Sequence, residues 1–161
     1  MSENLARACG TNSLQPCPTA QSSTDYGGIS LNAVDGNTNV AFGEGSCTHT
    51  QTESNAWWRV DLETTRSVKS VKIWNRADSP GASGRLEGFE VWIGFDASSY
   101  SANLRCLAGG TAPLNPPHEV HVSCIGTGRY LFVALPGSDR VLNMCEVEVY
   151  GMQGERSCLR A

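Results

Sequence analysis

No excess of positive charge, no long apolar run, no Cys-x-x-Cys pair and no amphipathic helical stripe occurs anywhere in these 161 residues. Each absence removes a class of function. The formal net charge is −4 at pH 7, so there is no basic field to hold nucleic acid or an anionic membrane surface. The apolar run from Tyr130 to Leu135 is far too short to cross a bilayer, and direct membrane insertion is not expected. Met1-Ser2-Glu3-Asn4 has neither a basic n-region nor an apolar h-region, which leaves a cytosolic chain or a mature domain as the alternatives. Seven cysteines, at 9, 17, 47, 106, 124, 145 and 158, contain no zinc-ribbon or thioredoxin-type spacing. Scattered single cysteines in a chain of this size favour disulfides and an oxidising compartment, and so a mature secreted domain. Internal repeats and low-complexity segments are also missing.

What is present is patterning of period two. Val71 and Ile73 alternate with Lys72 and Trp74, and Phe89, Val91 and Ile93 with Glu90 and Trp92. Val120 and Val122 alternate with His121 and Ser123, and Cys145, Val147 and Val149 with Glu146 and Glu148. Side chains on a strand point alternately to its two faces, so these are half-buried strands. Clusters at Tyr26-Gly27-Gly28, Ser79 to Gly84, Gly109 to Pro117 and Pro136 to Asp139 supply the turns. One helical turn fits Leu31 to Val34. The pattern predicts an all-β chain: an antiparallel β-sandwich of jelly-roll type, one domain over 1–161, with long binding loops gathered at one end. Its core runs from about residue 4 to 152, and 153–161 reads as a tail or linker stub.

One loop-rich region gathers an imidazole, two guanidiniums and a carboxylate. Twenty-six residues separate His49 from Arg76, which opens Arg76-Ala-Asp78 and is followed by Arg85. Around them lie Asn32-Ala-Val-Asp35-Gly-Asn37, Gly45-Ser46-Cys47-Thr48-His49-Thr50, Trp57-Trp58-Arg59-Val60-Asp61-Leu62 and Cys145-Glu146-Val147-Glu148-Val149-Tyr150-Gly151. These runs, in this order, resemble the F-type lectins (fucolectins).

The resemblance implies that His49, Arg76 and Arg85 contact an L-fucose ring, that Asp78 holds the arginines, and that Phe42 forms an apolar wall for the sugar's methyl group. The chemistry suits the task. A guanidinium presents a fixed fork of donors to neighbouring hydroxyls, and an imidazole can accept from one group while donating to another. Three departures stand out. Six residues, rather than the family's usual four, separate Asp78 from Arg85, and that loop carries no adjacent cysteine pair. Gly43 stands where some relatives have an aromatic residue.

The resemblance also implies a structural Ca2+ site made by Asp35, Asn37, Ser46 and Glu146 with main-chain oxygens of Asn32 and Cys145. All are hard oxygen ligands, which suit calcium. The segment is not an EF-hand, since a start at Asp35 puts Val40 at the glycine position and Ser46 at the bidentate glutamate position. Pairings Cys47 to Cys145 and Cys106 to Cys124 are implied as well. Cys9 and Cys17 are then left to close a short loop, and Cys158 remains unpaired.

Three function classes follow. The first is a non-catalytic, calcium-stabilised module recognising terminal L-fucose on glycans or glycoproteins, secreted or held in a granule such as the acrosome, with oligomers possible. A bindin-type repeat of a bivalve mollusc, acting in gamete or innate recognition, is the specific form the resemblance suggests. The second is a discoidin-like sandwich binding phospholipid, collagen or another glycan, which would want exposed apolar loop tips where this chain has mostly Gly, Ser and Pro. The third is a glycoside hydrolase, which needs two flanking carboxylates. Asp78 with Glu87 or Glu90 is the available pair, but arginines beside Asp78 keep it ionised and no catalytic motif surrounds it. His118 and His121 are set aside as a metal pair, because three residues apart on a strand they face opposite sides.

Overall fold

A computed structural model describes residues 2–152. The expected tail, with Cys158, lies outside the described residues. Six strands, all paired antiparallel, carry the architecture: β1 Thr19–Gln21, β2 Ala56–Trp74, β3 Phe89–Gly94, β4 Leu104–Gly110, β5 Glu119–Leu135 and β6 Glu146–Gly151. Their order is β1-β2-β5-β3-β4, with β6 on the free edge of β2.

The two long strands turn this sheet into a sandwich. In β2, buried positions alternate from Ala56 to Leu62 and again from Val68 to Trp74, and between them runs the polar stretch Glu63-Thr64-Thr65-Arg66. The pairing with β5 shifts register between Asp61 and Arg66 and between Val68 and Ser70. Glu63 takes a left-handed φ of 65°, and its amide donates to Asp61 Oδ1. Extra residues of this kind bend a strand sharply. The first half of β2 therefore pairs with β1 and the end of β5, and its second half with β6 and the beginning of β5.

One hydrophobic cluster draws on both halves, including Trp58, Val60, Val71, Ile73, Leu131, Val133, Val147 and Val149. Removing a large apolar side chain from water contributes roughly 1.5–3 kcal/mol, so Trp58, wholly buried, is a principal anchor. Its indole N–H donates to the Ser30 carbonyl at 2.9 Å. Trp57 takes the opposite face and packs edge-on against Phe132. Disulfides Cys47–Cys145 and Cys106–Cys124 form as the resemblance implied, and Cys9–Cys17 closes the remaining short loop.

Three loops, 22–55, 75–88 and 136–145, meet at one end of the sandwich. The Ala77 amide donates to the Val40 carbonyl, and Thr48 and Thr50 donate to Met144 and Leu142. The segment from Ser79 to Gly84, expected to be a turn cluster, winds instead into α1 (Pro80–Ser83), which a 3-10 turn, Gly84–Leu86, continues. Ser79 caps it by accepting from the Ala82 amide, and Pro80 occupies the first helical position, where its missing N–H costs nothing. The turn anticipated at Leu31 to Val34 is a 3-10 helix, Ser30–Val34. His118 lies just before β5 at a left-handed φ of 60°, not within the strand, so the opposite-face reason for setting it aside does not apply.

Candidate functional site

The five residues expected at the sugar site come together at this loop end. His49 is 5% exposed, with its ring edge-on to Phe42 at 5.3 Å between centroids. The Arg76 guanidinium lies over the Phe42 ring at 4.6 Å. Arg76 Nε donates to Asp78 Oδ1 at 2.7 Å, while Asp78 Oδ2 accepts from the Phe42 amide. Arg85 and Arg76 both act electrostatically on the His49 ring. One detail differs from expectation: Asp78 holds only Arg76, and Arg85 Nη1 instead donates to Asn143 Oδ1 at 3.0 Å. The helical winding of α1 and the turn after it takes up the longer spacing and directs Arg85 toward the third loop, where Asn143 waits.

The state of the imidazole follows from its partners. Nδ1 lies 2.6 Å from the Thr50 carbonyl oxygen, which can only accept, so Nδ1 carries the hydrogen. Nε2 of the neutral ring is then a lone-pair acceptor. Burial lowers the pKa of His49; the Thr50 carbonyl opposes this, and the charges of Arg85 and Arg76 lower it further. At neutral pH the site thus offers one acceptor flanked by two permanently charged donor forks. For Asp78, partial burial works against ionisation, but the hydrogen bond and charge of Arg76 outweigh it and hold the carboxyl below its ordinary range.

The cation residues gather on the other side of the Cys47–Cys145 bridge. Ser46 and Glu146 adjoin the two bridged cysteines and are both buried. The Asn32 side-chain amide donates to the Cys47 carbonyl, and Ser46 Oγ donates to the Asn39 carbonyl at 2.6 Å. Asp35 Oδ1 accepts from the Asn37 amide and Asn37 Oδ1 from the Asn39 amide, which folds 35–39 into successive side-chain turns. Glu146 is 1% exposed, and neither carboxylate oxygen has a hydrogen-bond partner. Burial first, and the Asp35 charge second, push its pKa to about 8. The Gly36 amide faces Glu146 and favours the ionised form, but not at hydrogen-bonding geometry. No group of three or more His, Cys, Asp or Glu side chains suited to a metal occurs among the described residues. The expected ligand set, with only two carboxylates and otherwise Asn, Ser and main-chain oxygens, is of a different make. A buried carboxylate with both oxygens unanswered beside a second carboxylate fits a hard divalent cation.

Residues that sequence reasoning passed over complete the site. Tyr26 is 75% exposed, sits at φ 49°, and turns its ring edge-on to His49 at 5.0 Å. Its neighbours clasp the histidine from behind: the Asp25 amide donates to the His49 carbonyl, and the His49 amide to the Gly28 carbonyl. A Cβ at Gly28 would lie 2.5 Å from His49 Cβ, so only glycine permits this approach. Tyr26-Gly27-Gly28 had signalled a turn, and nothing in it signalled proximity to His49. Asn143 also binds the Thr48 carbonyl and so links Arg85 to the strand-like stretch before His49.

Known proteins bear out the likeness. The family model described as NedA-like, galactose-binding domain matches residues 32–133. A fucolectin of Anguilla anguilla is 40% identical over 119 residues, 73% of this chain and 73% of the relative. The crystal structure of a fucolectin from striped bass (Morone saxatilis) serum superposes with a TM-score of 0.80 at 36% identity, covering 92% of this chain. This chain spans about half of that one, 47%. The lectin domain of lectinolysin, complexed with Lewis B antigen, gives 0.75 at 37% identity, covering 93% of this chain and 97% of that domain. These relatives are lectins, not enzymes. With their sandwich and their order of motifs, this chain belongs to the F-type lectin (fucolectin) family.

Proposed function

We propose that this chain is a non-catalytic lectin domain that binds terminal L-fucose on glycans and is stabilised by calcium. The observation that carries the reading is the neutral His49, hydrogen-bonded so that Nε2 accepts, between the charges of Arg76 and Arg85 and against the Phe42 ring. Vicinal hydroxyls supply both donors and acceptors, and the arginine forks and the imidazole lone pair answer both. The ring of Phe42 supports an apolar contact for the methyl group of a deoxy sugar. Relatives named fucolectins, and one solved with Lewis B antigen, support the same sugar class. Asp35, Asn37, Ser46 and Glu146, with carbonyls of Asn32 and Cys145, would hold the calcium ion. Bound there, the ion supplies the positive charge that a buried, unpaired Glu146 lacks. Three disulfides support an extracellular setting, in which fucosylated glycoproteins met in gamete or innate recognition are the partners. The test is a glycan array, with L-fucose calorimetry, in calcium and in chelator. Signal confined to fucosylated glycans is expected. Binding that ignores fucose would overturn the reading.

A further inference from the structure

Two elements carry the guanidiniums beside His49, and one buried side chain joins them. Asn75 follows the last residue of β2, precedes Arg76, and is 1% exposed. Its main chain is fixed by its own amide, which donates to the His118 carbonyl at 2.8 Å, and the chain beyond Arg76 by the Ala77 amide on the Val40 carbonyl. The side chain reaches the other way. Asn75 Nδ2 donates to the Ser83 carbonyl at 2.9 Å and to the Pro113 carbonyl at 3.4 Å, while Oδ1 has no hydrogen-bond partner among the described residues. Both carbonyls can only accept, so the donor end of the amide is the one in use. Ser83 is the last residue of α1, and Arg85 stands two residues on, within the turn Gly84–Leu86. Past that point Arg140 Nη2 donates to the carbonyls of Arg85 and Glu87. The short segment that carries Arg85 is pinned on one side by the third loop and on the other by the neighbour of Arg76.

We propose that Asn75 is a positioning residue that sets the span between the Arg76 and Arg85 forks. The role rests on the fucose reading above, in which both guanidiniums serve one sugar ring. Arg140 and Asn143 tie Arg85 to the third loop, whereas Asn75 ties it to the strand end that bears Arg76. Hydroxyls on a rigid ring have fixed separations, so two forks answer them together only while their own separation is held. Without the Asn75 amide the turn loses its link to β2. Ordering it again on binding draws on the affinity.

The experiment is a binding cycle on folded protein. L-fucose affinity is read by NMR titration for wild type, Asn75→Ala, Arg85→Ala and the double variant, at a temperature where melting curves show each one folded. Asn75→Ala is expected to weaken binding roughly fivefold or more, the lower end of ordinary coupling between sites, and to add little once Arg85 is Ala. In amide exchange on the same proteins, the Ser83 and Glu87 amides are expected to lose protection in Asn75→Ala while Val71 to Ile73 keep theirs. Should Asn75→Ala fail to fold, Asn75→Ser, which keeps one donor, takes its place. Wild-type affinity in the folded variant overturns the positioning role alone. An equal loss in both Arg85 backgrounds, or unchanged exchange at Ser83 and Glu87, overturns it too, since Asn75 would then act elsewhere. A wild type that does not bind fucose removes the fucose reading, and the positioning role with it.

Discussion

Two pockets share the Cys47–Cys145 bridge, and they solve the problem of a buried polar side chain in opposite ways. On one side, the local bonds of His49 are answered inside the protein: Nδ1 by Thr50, the amide by Gly28, the carbonyl by Asp25. Its arginines are held by Asp78 and Asn143. On the other side, both oxygens of Glu146 are unanswered, and its carboxylate neighbours are negative. The first pocket keeps its shape without a ligand, so a ligand meets donors already aimed. The second disfavours the charged form of its own carboxyl, so an ion bound there would stabilise the fold. On the function proposed above, one site serves recognition and the other stability.

The bridge between them is the place where this distinction can be broken most severely. Replacing Cys47 and Cys145 with alanine opens a loop closed across 98 residues, for which chain entropy gives about 4.7 kcal/mol. Both sugar affinity and calcium response should fall together, read by calorimetry on the folded fraction. The Cys9–Cys17 pair, separated by 8 residues, should cost less when replaced and leave sugar affinity unchanged.

Next in size is removal of the ion. An ion that binds only the folded state stabilises it by roughly 2.7 kcal/mol at a hundred times its dissociation constant. Chelation should lower the melting temperature of the wild type accordingly. Glu146→Gln should abolish that response, and in chelator it should be as stable as the wild type or more so, because it removes an unpaired buried carboxylate. A wild type indifferent to chelator would leave the pocket without an ion.

A smaller effect tests the recognition side. Arg76→Lys keeps the charge but loses the planar fork that reaches past the Phe42 ring, and L-fucose affinity should weaken at least about tenfold, or 1.4 kcal/mol. The melting temperature should not move, since Arg76 lies in a surface loop outside the core cluster. Unchanged fucose affinity in the folded variant would put the sugar elsewhere.

The smallest effect is in pH. The pKa of His49 is lowered in the folded protein from an ordinary 6.5. Above that value both folded and unfolded chains hold a neutral ring and the residue adds no pH dependence. As pH falls below it, the unfolded chain takes up a proton that the folded one resists, so stability declines. Fucose affinity should hold until the lowered folded pKa is passed and then decline, as Nε2 loses its lone pair. His49→Gln should flatten both profiles.

Much of this was legible in the residues, and the reasons for the rest are physical. The strand over Val71 to Trp74 alternates plainly because one of its faces is dry. Phe89 to Ile93 alternates in polarity, yet Glu90 on its other face is buried as well, where it accepts from Arg105. The bend in β2 was not visible, since Glu63-Thr64-Thr65-Arg66 looks like the end of a strand when only the register with β5 shows that it continues. Pro80 to Leu86 reads as loop by composition, yet a serine cap and a proline at the first turn suffice to wind it. The residues of both pockets came from motif order. Their partners did not, because Tyr26 and Asn143 arrive from stretches remote in sequence from His49 and Arg85, and no local pattern records such a meeting.

The run of β6 along the second half of β2 also decides where a linker can be attached. Strand β6 begins beside the pockets, where Glu146 pairs with Trp74, and ends at Gly151 opposite Val68. Six residues of strand carry the chain about 17–20 Å away. Tyr150 there bridges to Asn4, so the two ends of the described chain lie side by side, away from the binding loops. A linker attached at either end leaves the loops that carry His49 and Arg76 clear. Were such domains strung in series, their loop ends would stay free of the linkers, and several contacts could act together through effective concentration.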